Sequence, residues 1–190
     1  MAASETDPRS NPLPPGPSRW LSAQALAERL EEEINRAGRH DTALSCLLVV
    51  VDNIEELSRE HGRDLPERVF PYLAGALGRE LRRFDRIGRP SGSELLLLLP
   101  GADGPRGEIV ARRMLERLRT IKIEAQGTRQ PLRVSMGLAA WRGDLSAEQL
   151  LGQTRAATRG GRGEDAQAKL ATATPLQSGS PPALGRPRPS

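Results

Sequence analysis

Residues 89–101 read Arg-Pro-Ser-Gly-Ser-Glu-Leu-Leu-Leu-Leu-Leu-Pro-Gly, and how this stretch folds decides the architecture of the chain. Consecutive leucines favour a helix by intrinsic propensity. The run is short, however, and Pro100-Gly101 stops it, which suits a buried strand better. The reading is therefore two strands, Arg86–Pro90 and Glu94–Leu99, joined by a hairpin turn at Ser91-Gly92-Ser93.

Working outward, Ala43–Val51 (ALSCLLVVV) is a nearly continuous apolar run whose length and valines predict a strand buried on both faces. Before it, Ser22 is placed to cap a helix reaching about Ala37, with Leu26, Leu30 and Ile34 at four-residue spacing and Gly38 just past the end. After it, a short helix is predicted over Glu55–His61, closing at Gly62. A longer one follows from Leu65 to Arg83, in which Pro66 is acceptable but Pro71 is expected to kink or restart the helix. Pro105 opens a further helix with Val110, Met114, Leu118 and Ile121 on one face. Leu132–Leu138 alternates as a strand, and Ser146-x-x-Gln149 forms a capping box before a last helix. The order α-β-α-α-β-β-α-β-α predicts a sheet covered by helices, in the α/β or α+β class.

Composition narrows the function classes. The chain has 190 residues, which suits a single domain with flexible ends. Residues 1–18 and 164–190 are rich in proline and small polar residues and are read as disordered, the second also as a basic tail. The sequence pI of about 10.1 invites a nucleic-acid reading. Yet 28 basic against 24 acidic residues leave only +4. All the basic residues but Lys122 and Lys169 are arginines, so little titrates between neutrality and pH 11 to offset a small excess. The mixed charge and the scarcity of aromatics argue against DNA binding. No apolar run reaches the roughly 18 residues of a membrane span, and no secretory leader is evident, which predicts a soluble, cytoplasmic protein without membrane contact. Cys46, the single cysteine, has no partner for a disulfide or a cysteine-rich zinc site and reads as a buried small hydrophobe. His40 and His61 lie near Gly38 and Gly62 with no cysteine partners and read as turn or surface residues. No nucleophile elbow and no P-loop is present.

The hairpin at Ser91–Leu95 resembles the signature of GGDEF domains, the diguanylate cyclase family. Other landmarks fall in register. The segment VVVDNIEELSREHGRD resembles the family's DxDxFKxxNDxxGH, VSMGLAA resembles its later VSIGVA strand, SAEQLL resembles the start of its final helix, and ATRGGRG echoes its AKxxGRN ending. The resemblance covers about residues 20–163, with a degenerate GGDEF-like domain over 19–163. It implies a central mixed sheet of about five strands flanked by helices and a place in bacterial signal transduction.

Active members of the family join two GTP molecules into cyclic di-GMP with the help of two divalent metals, which need hard anionic oxygen ligands. The positions that supply those ligands correspond here to Val50 and Ser93. Ser91 stands for the first glycine of the motif, and Ser58 and Glu67 stand for the guanine-contacting Asn and Asp. The phosphate-binding lysine near the end has no clear counterpart. Asp52 and Glu94 match carboxylates that are not the main metal ligands. The resemblance thus implies a protein without cyclase activity, with no catalytic residues, metal or cofactor.

A second constellation is retained. Many members carry RxxD just before the hairpin, where with an arginine from the following helix it binds cyclic di-GMP. Arg82-Arg-Phe-Asp85 stands at that spacing, and Arg113 occupies the helix position. Arginine forks onto phosphate oxygens and stacks on guanine, while a carboxylate accepts from guanine N1 and N2. The resemblance implies a cyclic di-GMP receptor site at Arg82, Asp85 and Arg113, acting on an unidentified protein partner and compatible with a ligand-linked dimer. Three readings stand beside it: a nucleotide-independent interaction scaffold, a vestige in which Arg82 and Asp85 form only an exposed i, i+3 ion pair at a helix end, and a residual enzyme, either a weak cyclase or a GTP-binding domain.

Overall fold

The computed structural model describes residues 20–125, 127–160 and 168–173. The leucine run is a strand. β3 (Arg86–Ser91) and β4 (Glu94–Pro100) form an antiparallel hairpin closed by Ser91 opposite Glu94, so the turn itself is Gly92-Ser93, and the register shifts between Gly88 and Ser91. Leu95, Leu97 and Leu99 pack into one core, and Leu96 and Leu98 into a second on the opposite face. Alternation therefore gives every leucine a buried environment that a helix could not have offered to all five.

Preceding elements are β1 (Trp20–Leu21), α1 (Ala23–His40), β2 (Leu44–Val51), α2 (Ile54–His61) and α3 (Leu65–Gly78). β2 is buried throughout and lies between β4 and the later strand β7 (Val134–Ala140), antiparallel to both. Beyond the hairpin come α4 (Gly104–Thr120), the small hairpin of β5 (Lys122–Ala125) and β6 (Thr128–Pro131), then β7, α5 (Ala147–Gly160) and β8 (Ala168–Thr172). The main sheet has the order β1-β3-β4-β2-β7-β8. The helices α2, α3 and α4 contribute to the core holding Leu47, Val49 and Val51, while α1 and α5 cover the face of Cys46, Leu48 and Val50.

Capping chemistry sets the helix starts. Ser22 Oγ accepts from the Ala25 amide, Asp103 Oδ1 accepts from the Arg106 amide one residue ahead of α4, and Ser146 and Gln149 exchange both bonds of the expected capping box.

Several sequence expectations need correction. α1 runs through Gly38 to His40, and Asp41 rather than Gly38 takes the left-handed position, at φ 49°. α3 runs through Pro71 without restarting and stops at Gly78 rather than Arg83. The main sheet has six strands, close to the expected five, with two-residue β1 and five-residue β8 at its edges. β8, parallel to β7, lies inside the stretch 164–190 whose composition predicts a disordered tail, and Ala168–Thr172 is instead an edge strand. Residues 1–19 and 174–190 lie outside the described residues, as does the Gly161–Gly163 part of the ATRGGRG echo.

Candidate functional site

Two regions follow from the hairpin, one at its turn and one at its entry. At the turn, Val50 stands in register with Glu94 on β4 and Ser135 on β7. Its side chain is buried in the core that α1 covers. Ser93 is held through its backbone, its carbonyl accepting from the Val51 amide at 3.0 Å. The two carboxylates nearby are engaged with other protein groups. Asp52 Oδ2 accepts from Ser135 Oγ at 2.6 Å, and Glu94 Oε2 pairs with Arg155 of α5 at 3.2 Å. An apolar valine, a neutral hydroxyl and two partnered carboxylates are a poor donor set for a pair of hard divalent cations. Among the described residues no cluster of three or more His, Cys, Asp and Glu side chains is placed to hold a metal ion.

Across from the turn, Ser58 Oγ donates to the Ile54 carbonyl of its own helix at 2.6 Å, so its hydroxyl closes a local backbone contact. Glu67 is exposed at the start of α3 and meets Arg89 Nη1 at 2.8 Å. Arg89 also donates to the Gly92 carbonyl at 2.9 Å and lies 4.3 Å from the Phe70 ring centroid. This arginine ties the first turn of α3 to the hairpin by an ion pair, a hydrogen bond and a cation–π contact.

At the hairpin entry, α3 ends at Gly78 and the chain descends through two tight turns, with Glu80 N bonded to Leu77 O and Leu81 N to Gly78 O. Arg82–Asp85 is thereby a turn and not a helix end. Asp85 is 3% exposed, and its Oδ2 accepts from the Arg82 amide at 2.6 Å while its own amide donates to the Arg82 carbonyl at 3.2 Å. In place of the alternative exposed i, i+3 ion pair stands a buried carboxylate that shapes the turn. Arg82 points outward, its guanidinium making no hydrogen bond or ion pair among the described residues.

Arg113 reaches the preceding turn from α4. Its Nη2 donates to the Glu80 carbonyl at 3.0 Å and lies 3.3 Å from Glu80 Oε2. The structure therefore brings Arg113 to Glu80, two residues before Arg82. Glu80, Arg155 and Ser135 were not singled out from the sequence. Each acts through a partner distant in the chain, which spacing alone does not reveal. Phe84, inside the turn, and Ile109, one helical turn before Arg113, expose 59% and 60% of their surface, so apolar groups flank the arginines.

Two further features support the core, and the first is as expected. Cys46 is fully buried, and desolvation pushes its thiol up from 9.0 to about 12. Trp141 completes the edge of the core under α1 and α5, its Nε1 donating to the Leu145 carbonyl at 2.8 Å. Among the described residues no helix is long and apolar enough to cross a membrane.

The mixed sheet with helices on both faces places the described residues in the α/β class. The family profile described as diguanylate cyclase, GGDEF domain, matches residues 21–164, and the chain belongs to that family. The diguanylate cyclase DgcP of Pseudomonas aeruginosa is 30% identical over 128 residues, covering 65% of this chain and 18% of that protein. The diguanylate cyclase DosC of Escherichia coli K12 is 26% identical over 135 residues, covering 70% of this chain and 29% of its own length. The chain thus spans less than a third of either relative. Among solved structures, diguanylate cyclase SiaD of P. aeruginosa, in complex with its activator SiaC, superposes with a TM-score of 0.72 at 28% identity, covering 80% of this chain and 58% of that one. The GGDEF domain of DgcB from Caulobacter crescentus, in complex with c-di-GMP, gives 0.71 at 17% identity, covering 81% and 89%, and shares the fold.

Proposed function

We propose that this protein is a catalytically inactive GGDEF-domain signalling protein that binds cyclic di-GMP through Arg82, Asp85 and Arg113 and passes that signal to a protein partner. The observation that carries the reading is a contrast between the two ends of one hairpin. At the turn, the positions for metal ligands hold a buried valine and a backbone-tied serine. At the entry, Arg82 is exposed, Asp85 is buried and braces its turn, and Arg113 reaches in from α4 to Glu80 just ahead of that turn. Two arginines suit a ligand with two phosphodiester anions and guanine faces, and the exposed Phe84 offers an apolar neighbour for a base. A protein partner fits the neighbour SiaD, whose structure holds an activator protein.

A second reading, a scaffold that binds no nucleotide, is favoured by the internal partners of Asp85 and Arg113, since both groups already have work within the fold. Thermal unfolding separates the two. Cyclic di-GMP raises the midpoint of the natural protein and not that of Arg82→Ala, because a ligand selective for the native state stabilises it by mass action. An unmoved midpoint for both favours the scaffold. Incubation with GTP and magnesium yields no cyclic di-GMP, and product formed in proportion to protein overturns the inactive reading.

A further inference from the structure

Arg113 is held by both ends of one residue. Its Nη2 is 3.0 Å from the Glu80 carbonyl oxygen and 3.3 Å from Glu80 Oε2. These contacts have different consequences for an incoming anion. The carbonyl is a neutral acceptor that aims the guanidinium at the turn while leaving its charge intact. The carboxylate neutralises that charge and places a negative group where a phosphate oxygen would approach. The pair is partly solvated, with side-chain exposures of 54% and 34%, so it is labile. Between the end of α3 and the RxxD turn Glu80 is the one acidic residue, with Arg79 before it and Arg82 and Arg83 opening the turn after it.

We infer that Glu80 is a built-in competitor for the ligand site, a gate that the phosphate must displace from Arg113 before the full cationic pair with Arg82 is available. This rests on the receptor reading above. The gate sets the threshold concentration at which the protein responds. It also makes the response selective for a ligand with two anionic groups, since a second phosphate on Arg82 helps to offset loss of the Glu80 contact. Because the carbonyl contact belongs to the backbone, replacing the carboxylate leaves Arg113 aimed and removes only the competing charge.

The test is calorimetric titration of cyclic di-GMP into the full chain and into Glu80→Gln, Glu108→Gln and Glu80→Gln/Arg113→Ala. Glu108 pairs with Arg112 on α4, so its replacement makes the same change in net charge without touching Arg113. The expected result is affinity roughly two- to fivefold tighter for Glu80→Gln, the range set by a partly exposed ion pair. Glu108→Gln stays near the natural value, and the double variant loses the gain. If the natural protein binds but Glu80→Gln is no tighter, or gains no more than Glu108→Gln, the gate is overturned while the receptor survives. If none of the four binds, the receptor reading falls, and the gate with it.

Discussion

The Asp85 carboxylate accepts a hydrogen bond from the backbone amide of Arg82, three residues earlier, at 2.6 Å. Asp85, which the family resemblance singles out as a candidate ligand contact, is therefore also the brace of the turn that presents Arg82. A buried carboxylate that satisfies a backbone donor is costly to remove, since the orphaned amide keeps its full desolvation penalty. Asp85→Ala is expected to lower stability by about 1–3 kcal/mol, read as a fall in the urea midpoint. Asp85→Asn keeps an acceptor oxygen and should lose less. Arg82→Ala, exposed and replaced at its side chain alone, should leave the midpoint within about 0.5 kcal/mol. That difference lets binding defects of the Arg82 variant be assigned to the ligand and not to unfolding.

Val50 makes a sharper stability case. It lies in the core beneath α1 and directly across from Glu94. Val50→Asp would bury a carboxylate opposite another, and like charges in cross-strand register are destabilising. A loss of about 3 kcal/mol or more is expected, in line with an uncompensated buried charge, whereas Val50→Ile should stay within about 1.5 kcal/mol. Guanidinium unfolding with and without magnesium checks both. Val50→Asp folding as stably as the natural chain in metal-free buffer would contradict the packing described for this position.

Gly137 sits where β7 passes closest to α5. A Cβ there would stand 2.3 Å from Thr158 Oγ1, 2.4 Å from the Thr154 carbonyl oxygen and 2.5 Å from the Thr158 amide. Two of these are backbone atoms, so a rotamer change cannot relieve the clash. Gly137→Ala should cost at least about 2 kcal/mol through overpacking, and adding Thr158→Ala should restore only part of it. Differential scanning calorimetry gives the measurement, with each kcal/mol worth roughly 2–4 °C for a fold of this size.

Burial of Cys46 carries a pH dependence of definite sign. Its folded thiol titrates near 12 against 9.0 when unfolded. The raised value means that the native state keeps the proton the unfolded chain gives up. This contribution to stability is present in full below pH 9 and is lost as pH rises towards 12. At pH 8 a thiol reagent should label the native protein slowly, with a rate that climbs in step with unfolding in urea. Rapid labelling without denaturant would contradict the buried position.

How much of this was legible in the sequence depended on whether the signal was local. The strand nature of Leu95–Leu99 followed from run length and the Pro100-Gly101 stop, and the capping roles of Ser22 and Ser146 followed from residue type and spacing. β8 escaped notice because Ala168–Thr172 carries a weak pattern inside a polar stretch, and its strand exists through pairing with β7. The end of α3 was overestimated because Arg79–Arg83 has good helix formers, while the tertiary path needs a turn at Gly78. At the candidate site, the family resemblance singled out Arg82, Asp85 and Arg113. It could not give what each touches: Glu80 was one acid among arginines, and the Glu94–Arg155 pair joins residues 61 positions apart.

The central claim is tested most directly by calorimetric titration of cyclic di-GMP into the natural protein and into Arg82→Ala, with magnesium and GTP as the control ligand. The account predicts saturable binding at micromolar concentration or below for the natural protein, loss of that binding in a variant that unfolds at the same midpoint, and no heat of binding with GTP. Absence of binding by the natural protein well above micromolar concentration would contradict it, leaving Arg82, Asp85 and Arg113 as parts of the turn alone.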